Sequence, residues 1–197
     1  MKKTHNIKSL TTVLALTVLL TGCAASSGSE QTEIIPDASD TSAEASSEET
    51  EDVGYVGVDF ATTDVYGEPV GPEIFTENKV TIVNVWGTYC GPCIGEMPDL
   101  QNWYSVEQSK ESGIMIVGIP YDVDASTADE AIDILRDNGV TYPNLIVDDG
   151  LYEMFVKDIT VVPTTYIVDS NGNIIDGPIE GAYIDLYHDA VLAYLDE

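Results

Sequence analysis

Two of the three cysteines in this 197-residue chain, Cys90 and Cys93, are separated by only two residues in the sequence "CGPC". A pair at this spacing can bind zinc, form a structural disulfide or exchange disulfides with other proteins. A structural zinc site needs four ligands, and the chain adds only Cys23, His5 and His188, so we predict no metal site. A purely structural disulfide is also disfavoured, because so short a loop restricts little of the unfolded chain.

The favoured interpretation is a redox-active dithiol, with its own disulfide as the only redox group and no other cofactor. Cys90 follows an apolar run and opens a predicted helix, where unpaired backbone N–H groups and the helix dipole stabilise a thiolate. We therefore assign Cys90 as the exposed attacking thiolate, and Cys93 as the shielded thiol that resolves the mixed disulfide. Gly91 and Pro92 make the loop between them tight, and Pro92 stiffens the start of the helix.

The strands predicted around this pair are short and apolar. "VTIVNVWG" and "GIMIVGIP" are typical of buried central strands, and "NLIVDD" predicts a shorter one. "TTYIVDSNGNIIDGPI" has Asn171-Gly172 between two apolar runs, which predicts a hairpin, and "VDFATTDVYGEPV" predicts an edge hairpin around Tyr66-Gly67.

Helices are predicted between these strands. Residues 90–108 follow helical spacing, with a kink expected at Pro98, and a second helix opens with Ser126 as its N-cap. A helical turn at residues 151–156 and an amphipathic C-terminal helix, with His188 on its surface, complete the order. The sequence therefore predicts an α/β domain with a mixed central sheet flanked by helices and an N-terminal hairpin extension.

The N-terminus has the pattern of an export signal. Lys2, Lys3 and Lys8 precede an uncharged, mostly apolar run of 11 residues, Leu10–Leu20. This run is shorter than the roughly 20 residues of a membrane-spanning helix and has the length of a signal-peptide core. It ends in "LTGC", which resembles the lipobox of bacterial lipoproteins, where the cysteine, here Cys23, is lipidated and becomes the new N-terminus. An ordinary secretory signal with an unrelated cysteine is the alternative.

Three segments are predicted on this basis. Residues 1–22 form the signal peptide, residues 23–54 the lipidated cysteine and an acidic, Ser/Glu-rich tether, and residues 55–197 one folded domain. The tether has almost nothing to bury, so it cannot offset the entropy of ordering and is expected to be disordered.

The chain is strongly acidic, with a formal net charge of −28. Removal of residues 1–22 would leave four basic residues against 35 acidic ones, a charge of −31. Such a field repels nucleic acid and bare anionic lipid, so we exclude nucleic-acid binding. It favours basic or neutral protein partners, although solubility alone also explains it.

The cysteine motif and a second motif together resemble a known family. "VNVWGTYCGPCIGEMP" and "VVPTTYIVDSNGNI" are similar to the thioredoxin superfamily, and more closely to its membrane-anchored TlpA- and ResA-like thiol-disulfide oxidoreductases. The resemblance extends from about Val58 to the C-terminus and implies a thioredoxin-like fold. It also implies a cis peptide before Pro163, facing the disulfide, with backbone groups of Val162 offered to an extended substrate next to Cys90.

Three further positions are assigned from the residues around the motif. Trp86 and Tyr89 flank it and are expected to shape a docking surface, or equally to serve only in packing. Thioredoxin has a buried aspartate six residues before its first active-site cysteine, where this chain has Asn84, which does not titrate. Glu96, on the helical face of Cys93, matches a glutamate of TlpA- and ResA-like proteins. We predict that it is partly buried, has a raised pKa and exchanges a proton with Cys93; an acid placed by the helix dipole is the alternative.

The resemblance implies an extracytoplasmic reductase, lipid-anchored on the outer face of the bacterial membrane and monomeric. It would take electrons from a CcdA-like membrane donor and reduce exported proteins such as apocytochrome c, metal-site assembly proteins or methionine sulfoxide reductase. A CGPC loop identical to that of thioredoxin, a reductant at about −270 mV, favours this direction. The alternatives are an oxidase or isomerase, a peroxiredoxin-type peroxidase, which lacks the expected arginine near Cys90, and a non-enzymatic adaptor.

Overall fold

The structure is a computed structural model that describes Gly57 and residues 59–196. The strands are β1 (Thr62–Thr63), β2 (Pro69–Val70), β3 (Val80–Trp86), β4 (Ile114–Pro120), β5 (Thr164–Asp169) and β6 (Ile174–Glu180). The helices are α1 (Glu73–Thr76), α2 (Gly91–Lys110), α3 (Ala128–Asp137), α4 (Asp149–Leu151), which continues as a π-helical turn over Tyr152–Val156, and α5 (Ile184–Leu195).

The central sheet has four strands in the order β4-β3-β5-β6. β3 pairs parallel with β4 and antiparallel with β5, and β6 closes the sheet antiparallel to β5. All seven residues of β3 are buried, as expected for a β-branched strand that is covered on both faces. The predicted mixed sheet is therefore confirmed.

Two apolar clusters cover the two faces of the sheet. One contains residues of α2, α3 and α5 together with Ile82 and Trp86 of β3. The other contains residues of α1 and the π-helical turn together with Val83 and Val85. Because side chains alternate along a strand, Asn84 faces the same side as Ile82 and Trp86. A polar residue of β3 thus lies on the face that α2, which begins next to Cys90, and α5 cover.

Both predicted hairpins are present. β1 and β2 form a separate antiparallel pair, and Gly67 in the connecting turn has a φ of 91°, which favours glycine. In the β5–β6 hairpin, the Asp169 side chain accepts backbone N–H bonds from Asn171 and Asn173 at 2.9 and 2.8 Å, which holds the turn.

Three local predictions change. α3 begins at Ala128, one residue later than a Ser126 cap requires, because Asp124 accepts bonds from Ser126 and holds it in the preceding turn. "NLIVDD" makes only isolated bridges, one at Asn144 and one at Leu145, instead of a strand. α2 continues past Pro98 to Lys110, two residues beyond the predicted end.

The predicted signal peptide, the lipidation of Cys23, the tether and the boundary at residue 55 lie outside the described residues. Within the described part, no helix combines the length and apolar character that crossing a bilayer requires.

Candidate active site

Cys90 and Cys93 are joined in a disulfide at the start of α2. Cys90 is the N-cap of this helix, and its Sγ accepts the backbone N–H of Cys93 at 3.2 Å. Cys90 is 6% exposed and Cys93 1%, so the expected exposure of Cys90 is not found in this oxidised state. Cys90 is still the more accessible of the two cysteines, and the helix N-terminus can stabilise its thiolate once the bond is broken. Gly91 and Pro92, between the cysteines, are exposed in the first turn of α2.

The loop before β5 lies against the disulfide. The peptide between Val162 and Pro163 is cis, and the carbonyl oxygen of Val162 lies 3.5 Å from the Sγ of Cys90. Pro163 is buried and Val162 is half-buried. A polypeptide that reaches Cys90 would therefore lie beside the backbone of this loop.

The two aromatic residues beside the motif have different positions. Trp86 is 1% exposed, and its indole N–H donates to Oδ1 of Asn144 at 2.9 Å. It therefore belongs to the core and forms no docking surface, because the helices above β3 cover it. Tyr89 is 69% exposed, and its hydroxyl is bonded to that of Tyr121.

A shallow groove lies beside the disulfide, between the two tyrosines and the loop that contains Val162. It is lined by Tyr89, Tyr121, Ile159, Thr160, Val161 and Val162. No sequence motif marks Tyr121 as a residue of this groove. Its position follows from register, because Pro120 pairs with Trp86 at the carboxyl ends of parallel strands, and the next residue emerges beside the cysteine loop.

Glu96 is buried one turn after Cys93, and its carboxylate has partners from two other elements. Oε1 accepts the side-chain N–H of Asn84 at 2.8 Å, and Oε2 lies 3.3 Å from the hydroxyl of Tyr187. Burial raises the pKa of Glu96 to about 7, although hydrogen bonds donated to its carboxylate, such as the one from Asn84, work in the opposite direction. A carboxyl with this pKa exchanges protons readily near neutral pH.

The sequence did not indicate the residues that complete this network. Thr165 accepts the second side-chain N–H of Asn84 at 3.0 Å, and Tyr187 comes from α5, 91 residues after Glu96. Both belong to ordinary apolar patterns, so no local signal distinguishes them. His188, expected on the surface, is half-buried and stacks on Trp103 with the ring centres 3.7 Å apart.

None of the described residues form a group of three or more histidine, cysteine or acidic side chains that could hold a metal ion.

A disulfide that opens a helix and lies against a cis-proline on this fold is the arrangement of a thioredoxin-fold thiol-disulfide oxidoreductase. By sequence, the chain belongs to the AhpC/TSA family, whose profile matches residues 53–176. The names of its relatives confirm the class.

The thiol-disulfide oxidoreductase ResA of Halalkalibacterium halodurans is 30% identical over 122 residues, which are 62% of this chain and 65% of that protein. The chain thus spans slightly less than two thirds of this relative. The thiol:disulfide interchange protein HelX of Rhodobacter capsulatus is 33% identical over 135 residues, 64% of this chain and 72% of HelX. A solved structure of a secreted thiol-disulfide isomerase from Corynebacterium glutamicum has a TM-score of 0.59 and 25% identity, and the match covers 71% of this chain and 84% of that one.

Proposed function

We propose that this protein reduces disulfides of exported proteins outside the cytoplasm. The observation that carries the proposal is the Cys90–Cys93 disulfide, placed against the Val162–Pro163 loop and one turn from a buried acid, Glu96. Relatives named thiol-disulfide oxidoreductase support the reaction type.

In the proposed reaction the reduced protein begins with Cys90 as thiolate. This thiolate attacks a sulfur of the substrate disulfide, and the other substrate sulfur leaves with the electron pair. Cys93 then transfers its proton to Glu96 and attacks the Sγ of Cys90, which releases the second substrate thiolate and forms the Cys90–Cys93 disulfide. The substrate is reduced by two electrons and the protein is oxidised by two.

We infer that a membrane thiol donor of the CcdA type restores the dithiol, and that a lipid on Cys23 holds the monomeric protein at the outer face of the membrane. The basis is the "LTGC" motif and the resemblance to membrane-anchored relatives. Apocytochrome c, metal-site assembly proteins and methionine sulfoxide reductase are the substrates that this resemblance suggests. A secreted relative is consistent with work outside the cytoplasm.

A peroxiredoxin-type peroxidase is the less favoured candidate, although the family is AhpC/TSA. Such an enzyme needs an arginine beside its peroxide-binding cysteine. Arg136 is the only arginine in the chain. It lies in the last turn of α3, where its guanidinium pairs with Asp133 and Asp137.

The reduction potential of the Cys90–Cys93 couple tests the direction of electron flow. Equilibration of the purified protein with glutathione or dithiothreitol buffers is expected to give a value near or below about −270 mV, the value of thioredoxin. A value toward about −120 mV, that of a strong oxidant, would reverse the proposed direction and make the protein an oxidase or isomerase.

Trapping identifies the substrates. In a Cys93→Ala variant the mixed disulfide on Cys90 cannot be resolved, so covalent complexes with exported proteins are expected to accumulate. The matched Cys90→Ala variant keeps one thiol of the pair but lacks the attacking sulfur, and no complexes are expected. Equal trapping by both variants would contradict the assigned roles.

A further inference from the structure

Tyr187 is fully buried, and its hydroxyl lies between the buried acid and the loop that touches the disulfide. This hydroxyl is 2.6 Å from the carbonyl oxygen of Gly181 and 3.3 Å from Oε2 of Glu96. The backbone N–H of Gly181 in turn donates to the carbonyl of Pro163 at 2.8 Å. Tyr187 thus connects Glu96 to the cis-proline loop, and the exchange reaction described above does not use it.

A phenol has one hydrogen to donate, so the two contacts of the Tyr187 hydroxyl cannot both be donated bonds. The carbonyl of Gly181 can only accept, and its contact is shorter by 0.7 Å, so it receives the hydrogen. The backbone N–H of Tyr183 donates to the same phenolic oxygen at 3.3 Å. The oxygen therefore faces Glu96 with a lone pair, as an acceptor. A hydrogen donated to Oε2 instead would lower the pKa of the Glu96 carboxyl, so the two directions predict opposite effects of removing the hydroxyl.

The other carboxylate oxygen has the opposite kind of partner. Oε1 accepts a hydrogen from Asn84 at 2.8 Å, so in a protonated carboxyl Oε1 is the carbonyl-like oxygen and Oε2 carries the proton. In this state every bond of the network has one donor and one acceptor. Ionised Glu96 would instead place Oε2 against a second lone pair, unless Tyr187 gave up its 2.6 Å bond to Gly181.

We propose that Tyr187 is a positioning residue that holds Glu96 protonated in the oxidised protein, ready to protonate Cys93 when a donor thiol reduces the disulfide. The inference rests on the proposed function, in which Glu96 and Cys93 exchange a proton. The donor thiolate attacks the Sγ of Cys90, the Cys90–Cys93 bond breaks, and Cys93 leaves with the electron pair. Glu96 supplies its proton to this sulfur and recovers one from water, which leaves a donor–Cys90 mixed disulfide and a Cys93 thiol.

None of the ion pairs among the described residues includes Glu96, so no basic side chain there is paired with its carboxyl. The titratable groups around it are Cys93 on α2, Tyr187 on α5 and the buried Tyr142, whose pKa is raised by burial and by the charge of Glu96. Asn84 and Thr165, from β3 and β5, do not titrate.

The test is a Tyr187→Phe variant of the oxidised protein, with the Glu96 carboxyl followed by carbon-13 NMR and assigned with Glu96→Gln. Loss of the acceptor is expected to lower the pKa of Glu96 by about one unit, the effect of one hydrogen bond. Reduction by dithiothreitol, with rates divided by thiolate concentration, should then be unchanged at pH 5 and slower by about fivefold at pH 7. An unchanged or raised pKa overturns the proposal.

Tyr166→Phe is the matched control, because it removes a hydroxyl from a buried ring in the apolar cluster on the other face of the sheet. The pKa of Glu96 is expected to be unchanged in this variant. The same NMR titration of the unaltered oxidised protein is a second test, and it does not depend on whether a variant folds. If Glu96 is already ionised at pH 6, Tyr187 does not hold it protonated. If the unaltered protein failed to reduce substrate disulfides, the proposed function would be refuted. The NMR comparison of the unaltered protein with Tyr187→Phe would still decide the role of Tyr187.

Discussion

At the scale of single residues, two buried acids of the described chain behave in opposite ways. Asp169 is 8% exposed and accepts bonds from the backbone and side chains of Asn171 and Asn173. Burial alone would raise its pKa, but these donors lower it below the usual value. Glu96 is 4% exposed with fewer donors, and burial raises its pKa to about 7. The number of N–H donors that reach a buried carboxylate therefore decides whether its pKa is lowered or raised.

The raised pKa of Glu96 predicts how stability depends on pH. An acid whose folded pKa lies above its unfolded value stabilises the fold fully below the unfolded pKa, near 4.5, and loses this contribution as pH rises through about 7. A Glu96→Gln variant cannot ionise. We expect its free energy of unfolding, relative to the unaltered protein, to rise by roughly 3 kcal/mol between pH 4 and pH 9.

Denaturant unfolding of the oxidised proteins at pH 4, 6, 7.5 and 9 measures this difference. Glu130→Gln, which replaces an exposed acid on α3, is the control and should show no rise of this size. A constant offset between Glu96→Gln and the unaltered protein would mean that Glu96 titrates alike in the folded and unfolded states.

At the scale of elements, the site is assembled where β3, β4 and β5 meet. Parallel pairing places the ends of β3 and β4 side by side, which brings the segment between β3 and α2, residues 87–90, next to Tyr121. Antiparallel pairing places the start of β5, and with it the cis-proline loop, beside the end of β3. Asn144 supports this edge from the segment beside β4: it accepts from Trp86 and donates to the carbonyl of Tyr142 at 3.0 Å.

Gly118 of β4 is required for this support. A Cβ at this position would overlap the side-chain amide of Asn144, so Gly118→Ala must displace Asn144 and break its bond with Trp86. We expect a loss of about 2–4 kcal/mol in the free energy of unfolding, since both overpacking and an unpaired buried N–H contribute. Denaturant unfolding followed by tryptophan fluorescence measures it.

Gly95→Ala is the matched control, because a Cβ there meets no atom within 4 Å. It lies inside α2, so alanine is expected to stabilise the protein by up to about 1 kcal/mol. Equal effects of the two substitutions would contradict the proposed clash at Gly118.

At the scale of the whole molecule, charge is the dominant property. A formal charge of −28 creates a field that attracts cations and repels anions near the active site, and salt screens it over about 10 Å at 0.1 M. Selection among disulfides by charge therefore requires no dedicated binding residue.

We expect the reduced protein to react faster with the dication cystamine than with the dianion dithiodipropionate. The ratio of the two rates should be on the order of tenfold at low ionic strength and should fall as salt is added. Stopped-flow tryptophan fluorescence measures both rates, and uncharged hydroxyethyl disulfide provides the reference. A ratio that does not change with salt would show that intrinsic reactivity, and not the field, sets the preference.

Much of the fold could be predicted from local patterns. The β-branched run of β3, the Asn171-Gly172 turn and the CxxC motif at a helix start are each complete within a few residues, because hydrogen-bond periodicity and turn geometry act over short distances. The apolar run of "NLIVDD" predicts a strand, but the segment makes only single bridges at Asn144 and Leu145. Whether an apolar segment pairs along its length depends on the strand beside it.

The sequence by itself determined the chemistry of this protein: two thiols at a helix N-terminus, an acid one turn later, and the order of strands and helices that carries them. Only the tertiary structure decided that Trp86 is buried, that Tyr121 lies beside the cysteines and that Tyr187 reaches Glu96 from α5. The physical reason is that burial and hydrogen-bond direction depend on contacts between residues far apart in sequence. The raised pKa of Glu96 is a property of those contacts.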